Sequence, residues 1–315
     1  MGVSTVLAPL PGARSPRDPQ RAIKRGPSRV PREQVAATQR DRLYDGLVRT
    51  VAERGYANAS VSDICRASGV TRPAFYEHFE SKQGAFLAAY RHGTDVLFAM
   101  LRQAFYDAAE ARQAAEAGRT GKTGEPAVTV GTAHAPADCD APCPPAGSDA
   151  GADEADDAPE ADIEADIEAD IETWARATCS VLAVLLDVLS SVPAFATAAI
   201  VEIDAVGPAG RQARAERLRD FESFFALAPS VPDGVPRGEV VNSVVSGAYG
   251  TLYRYIAGGR IAELPELLPG LVYFVVAPFA GPQSAAQAAK AASADHPRSV
   301  APCVPTQADA GVAGE

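Results

Sequence analysis

The sequence predicts an all-α chain, with a small N-terminal three-helix domain joined to a larger helical bundle that dimerises. Three observations predict it. Apolar residues recur at helical spacing through most of the chain, Gly, Pro or a capping Ser/Thr punctuates the intervals, and no stretch alternates with period two between hairpin turns. Hydrophobic residues make up 47% of the 315 residues, so a globular protein is expected.

Residues 1–32 carry Pro9, Pro11, Pro16, Pro19, Pro27 and Pro31 among arginines, without apolar period, and read as a disordered basic arm. A domain over 33–92 follows. Leu43, Leu47, Val48 and Val51 fall on one helix face, and Gly55 is placed to end that helix. A second helix, Val61 to Ala67, has Ser60 as N-cap and Asp63 in the capping-box position. Gly69 breaks the chain. Thr71 caps a third helix with Pro73 in its first turn, running to about His78. Ser81 opens a fourth, through Phe86, Leu87, Tyr90, Leu97, Leu101 and Phe105, whose part over 93–117 connects the two domains.

Residues 118–160 are Gly, Ala, Pro, Asp and Thr with almost no large apolar side chain, and read as a disordered acidic insertion. The tetrad ADIE then occurs at 161, 165 and 169, placing Ile163, Ile167, Ile171 and Trp174 on one face of a helix that runs toward Leu189. Helices at about Pro193 to Val206, Ala209 to Leu227, Arg237 to Ala257 and Leu264 to Pro278 complete a domain over 161–280. Residues 281–315 read as a disordered tail.

The net charge of −11 is unevenly spread: residues 1–92 hold 15 Lys/Arg against 8 Asp/Glu, whereas residues 138–172 hold 14 acids and no base. A basic front suits a polyanionic partner. No signal peptide is visible, because Pro9, Pro11 and Gly12 interrupt the only early apolar run, and no uninterrupted apolar run approaches the roughly 18 residues of a membrane span. Five cysteines at 65, 139, 143, 179 and 303 show no disulfide framework. A cytoplasmic protein with no membrane partner is expected.

The segment Ser60 to Phe79 has the physics of a helix-turn-helix. Ile64, Ala67, Val70 and Phe75 face inward, Gly69 supplies the positive φ of the turn, and Thr71, Arg72, Pro73, Ala74, Tyr76 and His78 stay outward on a short helix whose N-terminal end can enter a major groove. With its flanks, Glu53-Arg54-Gly55-Tyr56, Ser60-Val61, Ile64, Gly69-Val70-Thr71, Phe75-Tyr76, His78-Phe79 and Ser81-Lys82, the stretch resembles the tetracycline-repressor (TetR) family over about 45 residues. The resemblance implies a double-stranded DNA partner with a palindromic operator, and assigns roles. Thr71, Tyr76, His78 and Lys82 would contact phosphates, Arg72 a guanine edge, and Pro73 a thymine methyl or sugar. Ala74 stands where Thr or Ser is commoner.

It also implies that the larger domain dimerises and holds a small-molecule effector. Trp174, Phe195, Phe221, Phe225, Tyr249 and Tyr253 supply aromatic surface for a mainly apolar pocket, with core packing as the alternative role of each. Val240, Val244, Ala248 and Leu252, with Leu267, Leu271 and Phe274, are expected to face the partner subunit. The function expected is a repressor that the effector releases from DNA. The alternative is a regulator, activator or co-regulator, acting through a protein partner without a ligand. No nucleophile elbow, P-loop or HExxH occurs, so no enzyme is expected, and no cofactor. His134, Cys139 and Cys143 have a zinc-compatible spacing but lack a fourth ligand, so no metal is expected either.

Overall fold

The computed structural model describes residues 9–15, 31–120, 158–232 and 234–295. Among these residues every regular element is helical. α1 (Arg32–Arg54), α2 (Val61–Ser68) and α3 (Arg72–His78) form the small domain, closed by the first turns of α4 (Lys82–Thr120). α5 (Ala158–Ser191) packs along α4 and leads to α6 (Pro193–Ala196), a π-helical turn (Thr197–Glu202) and a 3-10 turn (Asp204–Val206). α7 (Pro208–Asp220) ends in a 3-10 turn (Phe221–Phe225), and α8 (Arg237–Ala257), a 3-10 segment (Ile261–Leu267) and α9 (Leu268–Asp295) complete the bundle.

The small domain is built on a narrow apolar stripe. Leu43, Leu47 and Val51 of α1 are fully buried with Ile64, Phe75 and Phe86. α1 and α2 cross closely at Gly46, where a Cβ would lie 2.8 Å from the Ser68 backbone nitrogen. In the bundle, Trp174, Leu186 and Leu189 of α5 are buried with Phe195, Ile203, Leu264, Val272 and Val276.

The chain departs from the sequence reading in four places. Residues 9–15, inside the stretch expected to be a disordered arm, form a turn packed on α1: Leu10 is buried, Gly12 N–H donates to Asp45 Oδ1 at 2.7 Å, and Arg49 donates to Gly12 O at 2.7 Å. The rest of 1–30 lies outside the described residues. The expected tail instead begins as helix. Gly281 (φ 78°, ψ 167°) breaks α9, Pro282 starts a second helical run, and Ala285 and Ala292 are buried. Alanine needs little space and favours helix, so an Ala-rich stretch without large apolar residues still docks.

The segment 193–206 is not one helix but three short turns of different pitch, and 209–227 is divided at Asp220. Lastly, Ala169–Ser191 and Ile261–Ala294 are long and apolar enough to cross a membrane by length and composition. Counting uninterrupted apolar residues misses them because single polar residues break each run. Here they are core helices, with Trp174, Leu182, Leu186, Val272 and Val276 buried in the bundle. Of the acidic insertion, only the ends are described, as the last residues of α4 and the first of α5. His134, Cys139 and Cys143 lie outside the described residues.

Candidate nucleic-acid interface and internal cavity

α2 is started by a complete capping box. Asp63 N–H donates to Ser60 Oγ and Ser60 N–H donates to Asp63 Oδ2, both at 3.2 Å, while the Ser60 hydroxyl donates to the same carboxylate at 2.6 Å. These bonds, with Arg54 and Arg66 at 3.5 and 3.1 Å, hold the Asp63 carboxyl below the usual carboxylate range. α2 ends at Gly69, which is left-handed (φ 65°, ψ 28°). A Cβ there would meet only the end of the Arg42 side chain, which can swing aside, so it is the positive φ that favours glycine at this turn.

Thr71 then caps α3, accepting from Ala74 N–H at 3.4 Å, with Pro73 in the first turn. Phe75 anchors the helix in the core and packs on Phe79, 5.6 Å between ring centroids. Fixed this way, α3 leaves Thr71, Arg72 and Pro73 exposed at its N-terminal end, and Tyr76 exposed one turn later.

The remaining residues expected at this face are differently placed. Ala74 is half-buried against the core. His78 is half-buried, with Nε2 3.2 Å from Gln39 Oε1 on α1. The Lys82 ammonium donates to Tyr56 O and Ala59 O at 2.8 and 2.9 Å and sits 4.3 Å from the Tyr56 ring centroid. Two of its three N–H donors therefore close the α1–α2 connection, so Lys82 first positions the domain. Spacing alone marks it as the residue that opens α4, but not as the lysine that satisfies those carbonyls.

The larger domain holds an open-mouthed cavity, with about 1020 Å³ of empty space that includes the solvent at its mouth. Its walls are mainly apolar, from Leu97 and Phe98 of α4, Leu182 and Leu185 of α5, and Val244, Ala248 and Leu252 of α8. Of the aromatic residues expected to line a pocket, Phe195, Phe221, Phe225 and Tyr249 do so. Trp174 and Tyr253 do not. The Trp174 indole is buried and donates to Phe224 O at 3.1 Å, a core role, and Tyr253 is exposed on the outer side of α8. The α8 face expected to meet a partner is also corrected: Val244, Ala248 and Leu252 turn inward to the cavity. Aromatic content cannot tell these cases apart, because core, cavity and surface all use it.

Tyr90, Thr94, Thr178, Arg214 and Arg217 line the cavity without having been foreseen. So does the π-helical turn, through Ala199 and Ile200, and the Tyr249 hydroxyl donates to Ile200 O at 2.7 Å. Two residues on, the Glu202 carboxylate accepts a hydrogen bond from Tyr56 N–H at 2.6 Å. The Tyr56 residue is thus held by Glu202 at its N–H and by Lys82 at its C=O. Extra residues in a helical turn are a recurrent mark of functional sites, but a π-helical turn has no local sequence signature, so this link is invisible before folding.

Residues 43–89, from mid-α1 to the second turn of α4, match the family model described as bacterial regulatory proteins, tetR family. The HTH-type transcriptional activator FasR of Mycolicibacterium smegmatis is 31% identical over 107 residues, 34% of this chain and 47% of that protein. The HTH-type transcriptional repressor Rv1474c of Mycobacterium tuberculosis is 35% identical over 68 residues, 22% of this chain and 36% of that protein. The matches thus span less than half the length of either relative. No solved structure matches the chain. Capped α2, the left-handed Gly69 and an exposed α3 N-terminus coincide with the matched residues, so residues 43–89 carry a DNA-binding helix-turn-helix similar to that of the tetR family of bacterial regulatory proteins.

Proposed function

We propose that the chain is a homodimeric, cytoplasmic repressor that binds a palindromic operator through α3 and leaves it when a small, mainly apolar effector fills the cavity. Arg72 is the base reader in this reading, with a guanidinium fork suited to guanine O6 and N7, and Pro73 contacts a thymine methyl or sugar. Thr71 and Tyr76 contact phosphates, and His78 and Lys82 do so after supporting the domain. Phe195, Phe221, Phe225 and Tyr249 form part of the effector's walls.

The observation that carries the reading is that one short segment serves both sites. Ala199 and Ile200 line the cavity, and Glu202 of the same π-helical turn holds Tyr56 of the DNA-binding domain. A ligand that moves the turn has differential contact with the two states, which is the requirement for control. This favours a ligand-responsive regulator over one that acts only through a protein partner. Dimerisation is supported by the exposed Tyr253, Tyr273 and Phe274 on the outer surfaces of α8 and α9, where the Phe274 ring lies over Gly247. Two α3 helices one DNA turn apart then need a two-fold operator.

The test is electrophoretic retardation of DNA from the chain's own promoter region, with and without apolar ligands, for wild type and Glu202→Gln. The expected result is retardation by wild type that ligand abolishes, and a Glu202→Gln protein that binds ligand but releases DNA less completely. Ligand binding with no change in retardation would favour the ligand-independent reading.

A further inference from the structure

The turn at residues 9–15 makes a second join between the small domain and the bundle, apart from the Glu202–Tyr56 bond. Leu10-Pro11-Gly12-Ala13 closes with Ala13 N–H donating to Leu10 O at 3.1 Å, and Gly12 has φ 87°. Proline followed by a glycine of positive φ is the make-up of a type II turn, so these four residues set their own shape. The glycine N–H takes no part in the closing bond of such a turn. Here it donates to the Asp45 carboxylate at 2.7 Å, and Asp45 is buried on α1. Arg49, one helical turn further on, donates to Gly12 O at 2.7 Å and to Arg14 O at 3.3 Å. An acid and a base of α1 thus hold the N–H and the C=O of the same glycine.

The same glycine also faces the bundle. A Cβ on Gly12 would lie 3.0 Å from Val48 Cγ1 of α1, and 3.5 and 3.8 Å from Ala194 Cβ and the Phe195 nitrogen of α6. Leu10, Pro11 and Gly12 are all buried, so the turn is wedged between α1 and α6. Phe195 in turn lines the cavity. Beside the wedge, α1 and α6 do not close fully. A gap of about 210 Å³, counted with the solvent at its mouth, lies between Leu47 and Val48 on one side and Phe195 and Ala198 on the other. Packing alone therefore leaves α1 room to tilt. From Asp45 to the end of α1 beside Tyr56 is on the order of 14 Å. A domain held at one point can pivot about it, whereas one held at two points that far apart moves with its support.

We infer that the turn around Gly12 is an interdomain clasp. With the Glu202–Tyr56 bond it fixes α1 to α6 and to the π-helical turn, so that the small domain and the cavity wall move as one body. The part the clasp plays in DNA release rests on reading the cavity as the effector site; its hold on the orientation of α1 does not.

Gly12→Ala opens the clasp without changing charge, since it strains a positive φ and crowds Val48. Full-length wild type and Gly12→Ala are compared by backbone hydrogen exchange, by operator retardation, and by titration with 1-decanol. The chain's single tryptophan follows the titration, because the Trp174 ring lies 6.1 Å from that of Phe225 on the cavity wall. In wild type the Gly12 and Tyr56 amides are both expected to be protected. Tyr56 makes none of the turn's hydrogen bonds, yet in Gly12→Ala its amide is expected to exchange about tenfold faster. Operator affinity is expected to fall about three- to tenfold, because the orientation of α3 is no longer set before binding. 1-Decanol is expected to bind both proteins within about twofold and to release less DNA from Gly12→Ala. An unchanged Tyr56 exchange rate overturns the clasp, as does a wild-type Gly12 amide that exchanges like that of an unfolded peptide. If Gly12→Ala does not fold, Leu10→Ala, which truncates the buried side chain of the same turn, is read in the same way. 1-Decanol that neither binds wild type nor releases it from DNA would sink the effector reading, and the Tyr56 and Gly12 exchange rates then decide the clasp alone.

Discussion

The small N-terminal domain and the large bundle solve opposite problems with the same secondary structure. Around α2 and α3 every turn has a local chemical cause: the Ser60–Asp63 box, the left-handed Gly69, the Thr71 cap. Phe75, Leu43 and Ile64 are fully buried in the small domain's interior. The bundle instead interrupts its helices with a π-helical turn and 3-10 turns, and leaves a cavity beside buried hydroxyls. The difference teaches that the helix-turn-helix is fixed by short-range bonds and buried packing, while the bundle keeps open space among its helices.

Matched truncations break or sharpen that contrast. Leu43→Ala, in the filled domain, is expected to destabilise by about 3–5 kcal/mol in urea unfolding, because the site cannot collapse. Leu185→Ala removes the same atoms from a cavity wall, so its cost is expected near the low end, about 2 kcal/mol. Equal losses would mean that the bundle packs as tightly as the small domain.

Arg72→Ala leaves folding unchanged and is expected to cost about 1–3 kcal/mol on the operator, with relaxed preference at one base pair. A uniform loss on all DNA sequences would make Arg72 a phosphate contact. The smallest effect is at the capping box. Asp63 has a folded pKa below its unfolded value, so its stabilising contribution is complete above the unfolded pKa and fades as pH falls through the folded one. Wild type and Asp63→Asn are therefore expected to differ in thermal midpoint at neutral pH and to converge at the acid end. A constant gap across pH would show that the carboxylate charge is not what caps α2.

Much of the small domain was legible because its signals are short-range. Ser60 with Asp63, Gly69, and Thr71 with Pro73 each act within a few residues, and the helix bounds followed from them. The exposed set Thr71, Arg72, Pro73 and Tyr76 was legible as well, since a seven-residue helix with Phe75 inward has few other faces. Lys82 was identified but not its partners, because Tyr56 O and Ala59 O lie 26 and 23 residues away. In the bundle, helical period showed which residues are apolar but not which empty space they surround. Trp174 and Phe225 look alike in sequence, yet only Phe225 reaches the cavity. Val244, Ala248 and Leu252 form an apolar stripe that would serve a partner or a ligand equally well, and the packing of α8 assigned them inward.

By itself the sequence determined an all-α chain, the helix-turn-helix at 60–79 and the residues that present it, since caps, glycine turns and helical spacing are local and strong. The tertiary structure alone decided that Ile200 and Glu202 join a cavity to Tyr56, that Tyr90 lines that cavity, and that an Ala-rich segment past Gly281 is helix. Those depend on contacts between residues up to 146 positions apart, which no local pattern encodes.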